Sequence, residues 1–171
     1  MTNPEDKSSI GLKPNIAAVL SYLLVWTIGF VSNWIISFIV IGQMIPGWFQ
    51  GVPDGTKEQL ISKIQIAGII SLIIGGMITT GAGFVFFTME KVSRFVRVHT
   101  IQAILFNILS ISVSILLSIM TIALGAGIAV FGILVSISFL VVWIWLMVKA
   151  YKGDMLKLPV ISEQAENIVA K

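Results

Sequence analysis

The feature that most constrains this chain is a set of three long runs that contain no Asp, Glu, Lys or Arg. They cover residues 14–51, 64–89 and 98–148, and the last includes the single histidine, His99. A helix that crosses a bilayer needs roughly 20 apolar residues, so each of the first two runs can cross once. The third run is about twice that length and must fold back on itself. The runs therefore predict four membrane crossings.

The overall composition agrees with a membrane protein. Hydrophobic residues make up 57% of the chain and charged residues only 11%, whereas about 25% charged is typical of soluble domains. The apolar runs far exceed strand length and show no period-two alternation, so helices are expected. The absence of cysteine excludes a disulfide framework, thiol catalysis and a thiolate metal site. We predict an all-α membrane protein, a four-transmembrane-helix bundle.

The predicted bundle occupies residues 14–151, between a polar N-terminal tail (1–13) and a C-terminal tail (152–171). Part of the C-terminal tail has the pattern of a short amphipathic helix. The first apolar run is longer than the about 7–15 residues of a secretory signal core, so we expect it to be a retained span. The four membrane helices are expected at about 15–41, 62–88, 98–124 and 127–151.

Basic residues predict the orientation of the bundle. With four crossings, the two tails and the turn after the second helix share one side of the membrane. That side holds nine Lys or Arg residues, and the other side holds only Lys57 and Lys63. Because basic residues are enriched on the cytoplasmic side, both termini are expected in the cytoplasm. The nine are Lys7, Lys13, Lys91, Arg94, Arg97, Lys149, Lys152, Lys157 and Lys171.

Small and polar residues recur every fourth position within the predicted spans. Small residues let two helix backbones approach closely in lipid, and an amide in an apolar span usually bonds across helices. Helix packing is therefore expected, and the lining of a pore is the alternative. The residues assigned to these two roles are Asn33, Ala67, Ser71, Gly75, Thr79, Gly83, Asn107, Ser110 and Ser114.

Residues 90–102, which cover the turn after the second span and the start of the third, contain three of the eleven Lys and Arg residues and the single histidine. Their basic side chains could bind anionic lipid headgroups or form a docking surface for a partner. His99 and Gln102 are three residues apart and share one helix face. They could hydrogen-bond to each other at headgroup level or contact a partner. The residues assigned to headgroup or partner contact are Glu90, Lys91, Arg94, Phe95, Arg97, His99 and Gln102.

Several kinds of site are not expected. The apolar parts of the four predicted spans contain no Asp, Glu, Lys or Arg. Ion pumps and proton-driven carriers generally need such residues within the membrane, so neither function is expected. One histidine without cysteine or a nearby carboxylate pair does not meet the ligand count of a zinc site. We therefore predict no catalytic residue, no metal and no other cofactor. Nucleic-acid binding is not expected either, because the basic residues lie where membrane topology already requires them.

Three blocks of the sequence resemble a known membrane family. They begin at Asn15-Ile16-Ala17-Ala18, at Glu90-Lys91 and at Lys149-Ala150-Tyr151-Lys152-Gly153. The order of the blocks is similar to a bacterial and archaeal family that is grouped with the twenty-kilodalton subunit of the chloroplast inner-envelope protein import translocon. The magnetosome proteins MamF and MmsF belong to the same grouping. The resemblance implies a small helical membrane protein, a subunit of a protein-handling complex, and no enzyme activity; residues 31–75 look inserted.

These observations lead to one expected function and two open alternatives. We expect a non-enzymatic protein of a prokaryotic plasma membrane that works in a homo-oligomer or a larger protein-handling complex, in contact with anionic lipid. The first alternative is a channel or carrier for a small neutral or weakly polar solute, lined by Asn33, Gly75, Thr79, Gly83 and the serines of the third helix. The second is a scaffold that organises lipid.

Overall fold

The computed structural model describes residues 7–27, 51, 53–124, 127–155, 158 and 161–170. In these ranges the chain is helical, without a β-strand, as the sequence predicts. α1 is described over Pro14–Thr27. The remaining elements are α2 (Asp54–Met89), α3 (Arg94–Leu124), α4 (Gly127–Tyr151) and α5 (Ile161–Ala170).

Three of the described helices, α2, α3 and α4, are long and apolar enough to cross a membrane. α1 is apolar but shorter in its described part. The predicted first span at 15–41 continues beyond that part, so the count of four crossings stays a prediction. Asn33 also lies outside the described residues.

Two helices begin earlier than their hydrophobicity predicts. α2 starts at Asp54 rather than near residue 62, because Pro53 precedes it and the Pro53 carbonyl accepts from the N–H groups of Thr56 and Lys57, both at 3.0 Å. α3 starts at Arg94 rather than near residue 98. Apolar residues mark where a helix can lie in lipid, whereas hydrogen bonds at the helix start decide where it begins. The basic turn thus shortens to four residues, 90–93.

α2 and α3 form a close antiparallel pair. Gly83 is buried, and a Cβ atom added to it would lie 2.7 Å from Cγ1 of Ile104 in α3 and 2.7 Å from Cγ2 of Val25 in α1. One heptad earlier, a Cβ on Gly76 would run into Ile111 of α3. Side chains from two neighbouring helices therefore occupy the space that a larger residue at position 83 would need.

α1, α4 and α5 complete one end of the bundle. The ring of Trp26 in α1 stacks on Trp143 of α4 with centroids 4.4 Å apart. α4 ends at Tyr151, and Gly153, two residues later, has a φ of +79°, which is favourable for glycine. The N–H of Asp154 donates to the Lys149 carbonyl at 3.0 Å, which closes a Schellman motif. The chain then turns back and α5 packs against α3 through its buried face, including Ala165.

The core of the described structure is concentrated at this end. The buried residues of α3 lie between Val96 and Asn107, except for Thr121. α3 has 31 residues and is about 46 Å long, whereas the hydrocarbon core of a bilayer is about 30 Å thick. From this excess length and the position of the buried residues, we infer that the first turns of α3, with the protein segments packed around them, extend beyond the hydrocarbon. We call this the packed end.

Candidate functional site

A buried polar cluster at the packed end joins side chains from three helices. Its members are Tyr22 of α1, His99 and Gln102 of α3, and Ser162 of α5. The Tyr22 hydroxyl lies 3.1 Å from Nδ1 of His99 and donates to Oε1 of Gln102 at 3.2 Å. Nε2 of Gln102 donates to Oγ of Ser162 at 3.0 Å. No member is more than 4% exposed, so solvent does not compete for these hydrogen bonds.

Local geometry explains how the polar cluster assembles. His99 and Gln102 lie on one face of α3 because residues three apart are neighbours on a helix. The backbone N–H of Leu158 donates to Oγ of Ser162 at 2.6 Å, which fixes that side chain at the start of α5. The ring of Phe95, one turn before His99, packs against it at a centroid distance of 4.4 Å. The polar cluster thus links α1, α3 and α5 through directional contacts.

The two ring nitrogens of His99 have different surroundings. Nδ1 faces the Tyr22 hydroxyl, whereas Nε2 is buried and makes no hydrogen bond within the described residues. The backbone of Asp154 lies close enough to interact with the ring but does not meet hydrogen-bond geometry with Nε2. The histidine therefore lies close to Asp154, in the described segment that follows α4.

Glu90 is buried and organises the turn between α2 and α3. Its carboxylate accepts from the backbone N–H groups of Val92 and Ser93 at 3.0 and 2.9 Å. It also accepts from the N–H of Ser9 at 2.9 Å and from the Ser9 hydroxyl at 3.1 Å. A negative charge at the start of α3 is favoured by the helix dipole. Glu90 therefore fixes the turn that precedes α3 and ties the segment before α1 to it, while Oγ of Ser93 caps the helix by accepting from the N–H of Val96 at 3.4 Å.

The basic side chains of the turn have unequal exposure. Lys91 and Arg94 are exposed, whereas Arg97 is partly buried. The guanidinium of Arg97 lies 4.7 Å from the ring centroid of Phe87, a cation–π contact with α2. Its Nε atom is buried and makes no hydrogen bond in the part of the chain that the structure describes.

A second polar contact lies deeper in the bundle. The amide of Asn107 donates to the hydroxyls of Thr79 at 3.0 Å and Thr80 at 3.2 Å. Thr79 and Asn107 are both buried. This contact joins α3 to α2 in the manner expected for an amide in an apolar helix.

The other residues predicted to pack or line a pore are divided between buried and exposed positions. Gly75 and Gly83 are buried, whereas Ala67 and Ser71, nearer the start of α2, are exposed. Ser110 and Ser114 are partly exposed, and the hydroxyl of Ser110 donates to the carbonyl of Asn107 at 3.0 Å within its own helix.

The residues predicted for headgroup or partner contact fall into three groups. Lys91 and Arg94 are exposed, Phe95 and Arg97 are partly exposed, and the remaining three are buried. The buried three, Glu90, His99 and Gln102, hold segments together at this end. Within the described residues, no three His, Cys, Asp or Glu side chains lie close enough to hold a metal ion.

Sequence reasoning did not single out three residues that complete these contacts: Ser9, Tyr22 and Ser162. Tyr22 is 77 residues from His99, and Ser162 is 60 residues from Gln102. Tyr22 could have been found because its hydroxyl is isolated within an apolar helix, and a buried hydroxyl needs a hydrogen-bond partner. Ser162 carried a weaker signal, since serine is favoured near a helix start.

Comparison with known proteins identifies one matching family and several similar membrane proteins. The sequence profile of the MamF/MmsF family, described as a magnetosome magnetite crystal formation protein family, matches residues 57–164. The UPF0132 membrane protein MJ1443 of Methanocaldococcus jannaschii is 41% identical over 111 residues, which cover 64% of this chain and 92% of that protein. A UPF0132 membrane protein of Archaeoglobus fulgidus is 31% identical over 108 residues, covering 61% and 93%. No solved structure matches the chain.

The family match includes the second and third of the three sequence blocks and most of α2. The first block, which contains α1 and Tyr22, precedes the matched residues. The expected resemblance to MamF and MmsF is confirmed by the match, and the relatives' names confirm the expected membrane class.

Proposed function

The chain belongs to the MamF/MmsF family of membrane proteins, and from this membership and the geometry of the packed end we propose that it is a non-enzymatic, multi-pass structural subunit. Its role would be in a membrane complex that handles or translocates proteins, or as an accessory factor of such a complex. The proposed location is a prokaryotic plasma membrane with both termini in the cytoplasm. The family's description as magnetosome magnetite crystal formation proteins supports a second kind of complex, one that serves crystal formation.

One observation carries the proposal: the turn after α2 is held rigidly while its basic side chains remain exposed. Glu90 and Ser9 fix the backbone of residues 90–93 through hydrogen bonds, and Lys91 and Arg94 extend outward from it. A docking surface is most effective when its side chains are presented by a pre-organised backbone. His99 and Gln102 would support this surface from inside rather than contact the partner.

The membrane-facing surface also supports a role in assembly. Only 6% of the most apolar stretch of α4 is buried within the described structure, compared with 33% for α2. Phe131, Leu134 and Val141 are each at least half exposed. In a membrane, neighbouring subunits and lipid can both cover such a surface.

The test is chemical cross-linking in intact membranes, followed by purification and mass spectrometry. We expect specific partners or further copies of the chain, and we expect their loss in the Lys91→Glu/Arg94→Glu variant. Lys63→Glu is the matched control, because Lys63 is an exposed lysine near the other end of α2. Recovery of the wild-type protein alone and monomeric would refute the proposal, as would equal losses in both variants.

The proposed orientation has a separate test, which is simplified by the absence of cysteine from the chain. Single cysteines replace Thr56 and Lys152, which are exposed near opposite ends of the bundle. In intact cells we expect a membrane-impermeant maleimide to label Thr56→Cys, and to label Lys152→Cys only after permeabilisation. The reverse pattern would place the termini outside.

A lipid-organising role is the second candidate, and one observation favours it. Val92 is 52% exposed between the exposed basic residues Lys91 and Arg94. An apolar side chain flanked by cations suits an anionic membrane surface. This role predicts dependence on anionic lipid without a fixed protein partner.

A further inference from the structure

A groove between α2 and α3 has the dimensions of a lipid chain site. Its volume is about 490 Å³, within the range of about 300–1,000 Å³ that is typical of ligand sites. None of its lining residues belongs to α1, α4 or α5. They are Ile73, Gly76, Met77, Thr80, Gly81 and Phe84 of α2, and Ile108, Ile111, Ser112 and Ile115 of α3.

The lining of the groove is suited to hydrocarbon. Its two hydroxyl groups already make hydrogen bonds: Thr80 accepts from Asn107 at 3.2 Å, and Ser112 donates to the Ile108 carbonyl at 2.8 Å. An occupant therefore needs no polar group at this depth. From Phe84 to Ile73 the groove follows twelve residues of α2, and the eleven helical rises between them extend about 16 Å. This length is close to one leaflet of the hydrocarbon core, about half of 30 Å.

A cation stands at the end of the groove nearest the packed end. Phe87 follows Phe84 by three residues on the same face of α2, and the guanidinium of Arg97 covers the Phe87 ring. No carboxylate pairs with Arg97 among the described residues, and its buried Nε makes no hydrogen bond there. Phe87 lies about one helical turn, or about 5 Å along α2, beyond Phe84 at the end of the groove, and the cation lies over the Phe87 ring.

The geometry points to a phospholipid with an anionic headgroup as the occupant of this groove, with one acyl chain between α2 and α3 and its phosphate at Arg97. The charge complementarity selects this occupant: a lipid phosphate supplies the counter-charge that the partly exposed guanidinium of Arg97 lacks among the described residues. Its attached chain then extends along the groove toward the middle of the bilayer. This site is independent of the proposed protein-handling role.

The experiment measures lipid retention by the full chain, purified in mild detergent and stripped of native lipid. Phosphatidylglycerol and phosphatidylcholine with identical acyl chains are added separately, and bound lipid is counted by native mass spectrometry. Both lipids carry a phosphate, but the choline cation of phosphatidylcholine offsets its charge, so we expect phosphatidylglycerol to bind about tenfold more tightly, which corresponds to about 1.4 kcal/mol. A third arm adds excess inorganic phosphate to the phosphatidylglycerol complex and should leave it intact.

Two variants test the two halves of the site. Gly81→Leu fills the groove, since a Cβ on Gly81 meets no atom within 4 Å. Gly132→Leu on α4 is the matched control, because its Cβ also meets nothing within 4 Å and it does not line the groove. Arg97→Gln removes the cation, and Lys152→Gln removes an exposed one from the same end.

We expect Gly81→Leu to lower the binding of both lipids about tenfold and Arg97→Gln to abolish the preference for phosphatidylglycerol, with both control variants at wild-type level. Equal binding of the two lipids by the wild type would overturn the inference, as would unchanged binding by Gly81→Leu. Displacement by inorganic phosphate would also overturn it, because it would show that the acyl chain contributes nothing. If Arg97→Gln fails to fold, the lipid preference of the wild type and the Gly81→Leu result still decide.

Discussion

Replacing Tyr22 with phenylalanine tests whether the polar cluster holds the packed end together. The change removes one hydroxyl and leaves the ring in place. Nδ1 of His99 then loses its hydrogen-bond partner and Oε1 of Gln102 loses a donor, while both side chains stay buried. A buried polar group deprived of its partner costs about 1–3 kcal/mol. Because His99 makes no other hydrogen bond within the described residues, we expect a loss of about 2 kcal/mol, a roughly 30-fold change in the folded-to-unfolded ratio.

Tyr151→Phe is the matched control, because Tyr151 is the second of the two tyrosines and is 63% exposed. Unfolding by sodium dodecyl sulfate in mixed micelles can be followed by tryptophan fluorescence, to which the stacked Trp26 and Trp143 contribute. The reasoning would be refuted if the two variants were equally stable within about 0.3 kcal/mol, the usual scatter of additive effects. A loss near 0.6 kcal/mol, the average for hydrogen bonds between helices in membranes, would indicate that the cluster lies in lipid-like surroundings.

Three further predictions concern the other contacts. Glu90→Ala removes the acceptor from several backbone donors, so we expect a loss of about 2 kcal/mol and faster proteolysis before α1; unchanged proteolysis would contradict the tethering role. Gly83→Ala should destabilise the protein by about 1 kcal/mol, because overpacking costs about 1–3 and helix propensity returns about 1. In the control Gly81→Ala the added methyl group meets no atom within 4 Å, so the free energy of unfolding should rise by up to about 1 kcal/mol. The close packing at Gly83 would be refuted if Gly83→Ala melted at or above the temperature of Gly81→Ala. Asn107→Leu loses its bonds to Thr79 and should cost about 0.6 kcal/mol in the same unfolding assay; a gain in stability would show that the amide is not a packing contact.

The helical architecture could be predicted because it depends on local properties of the chain. An uncharged run long enough to cross the membrane is expected to form a helix, because lipid offers the backbone no hydrogen-bond partner and a helix satisfies its own backbone groups. The starts of α2 and α3 could not be placed from hydrophobicity. Pro53 and the Glu90 carboxylate act through hydrogen bonds at the helix starts, and these contacts do not alter the apolar pattern.

Only two of the four residues of the polar cluster could be predicted from the sequence. His99 and Gln102 stand out as polar residues three apart at the edge of an apolar run, and this spacing indicates a shared face. Whether that face points outward or inward depends on what covers it. The covering residues, Tyr22 and Ser162, come from distant parts of the chain, and no local pattern connects them to α3.

The length of α3 explains why polar residues can be buried at the packed end. A helix of 31 residues exceeds the about 30 Å of hydrocarbon by about 16 Å, or roughly eleven residues. Eleven residues from Arg94 reach Ile104, and this segment contains His99 and Gln102. Lipid could not satisfy those side chains and water would compete for them, but α1 and α5 cover them and supply hydrogen bonds. α5 therefore does more than extend the chain: it encloses the part of α3 that projects past the hydrocarbon, and it leaves Lys91 and Arg94 exposed beside this enclosed core.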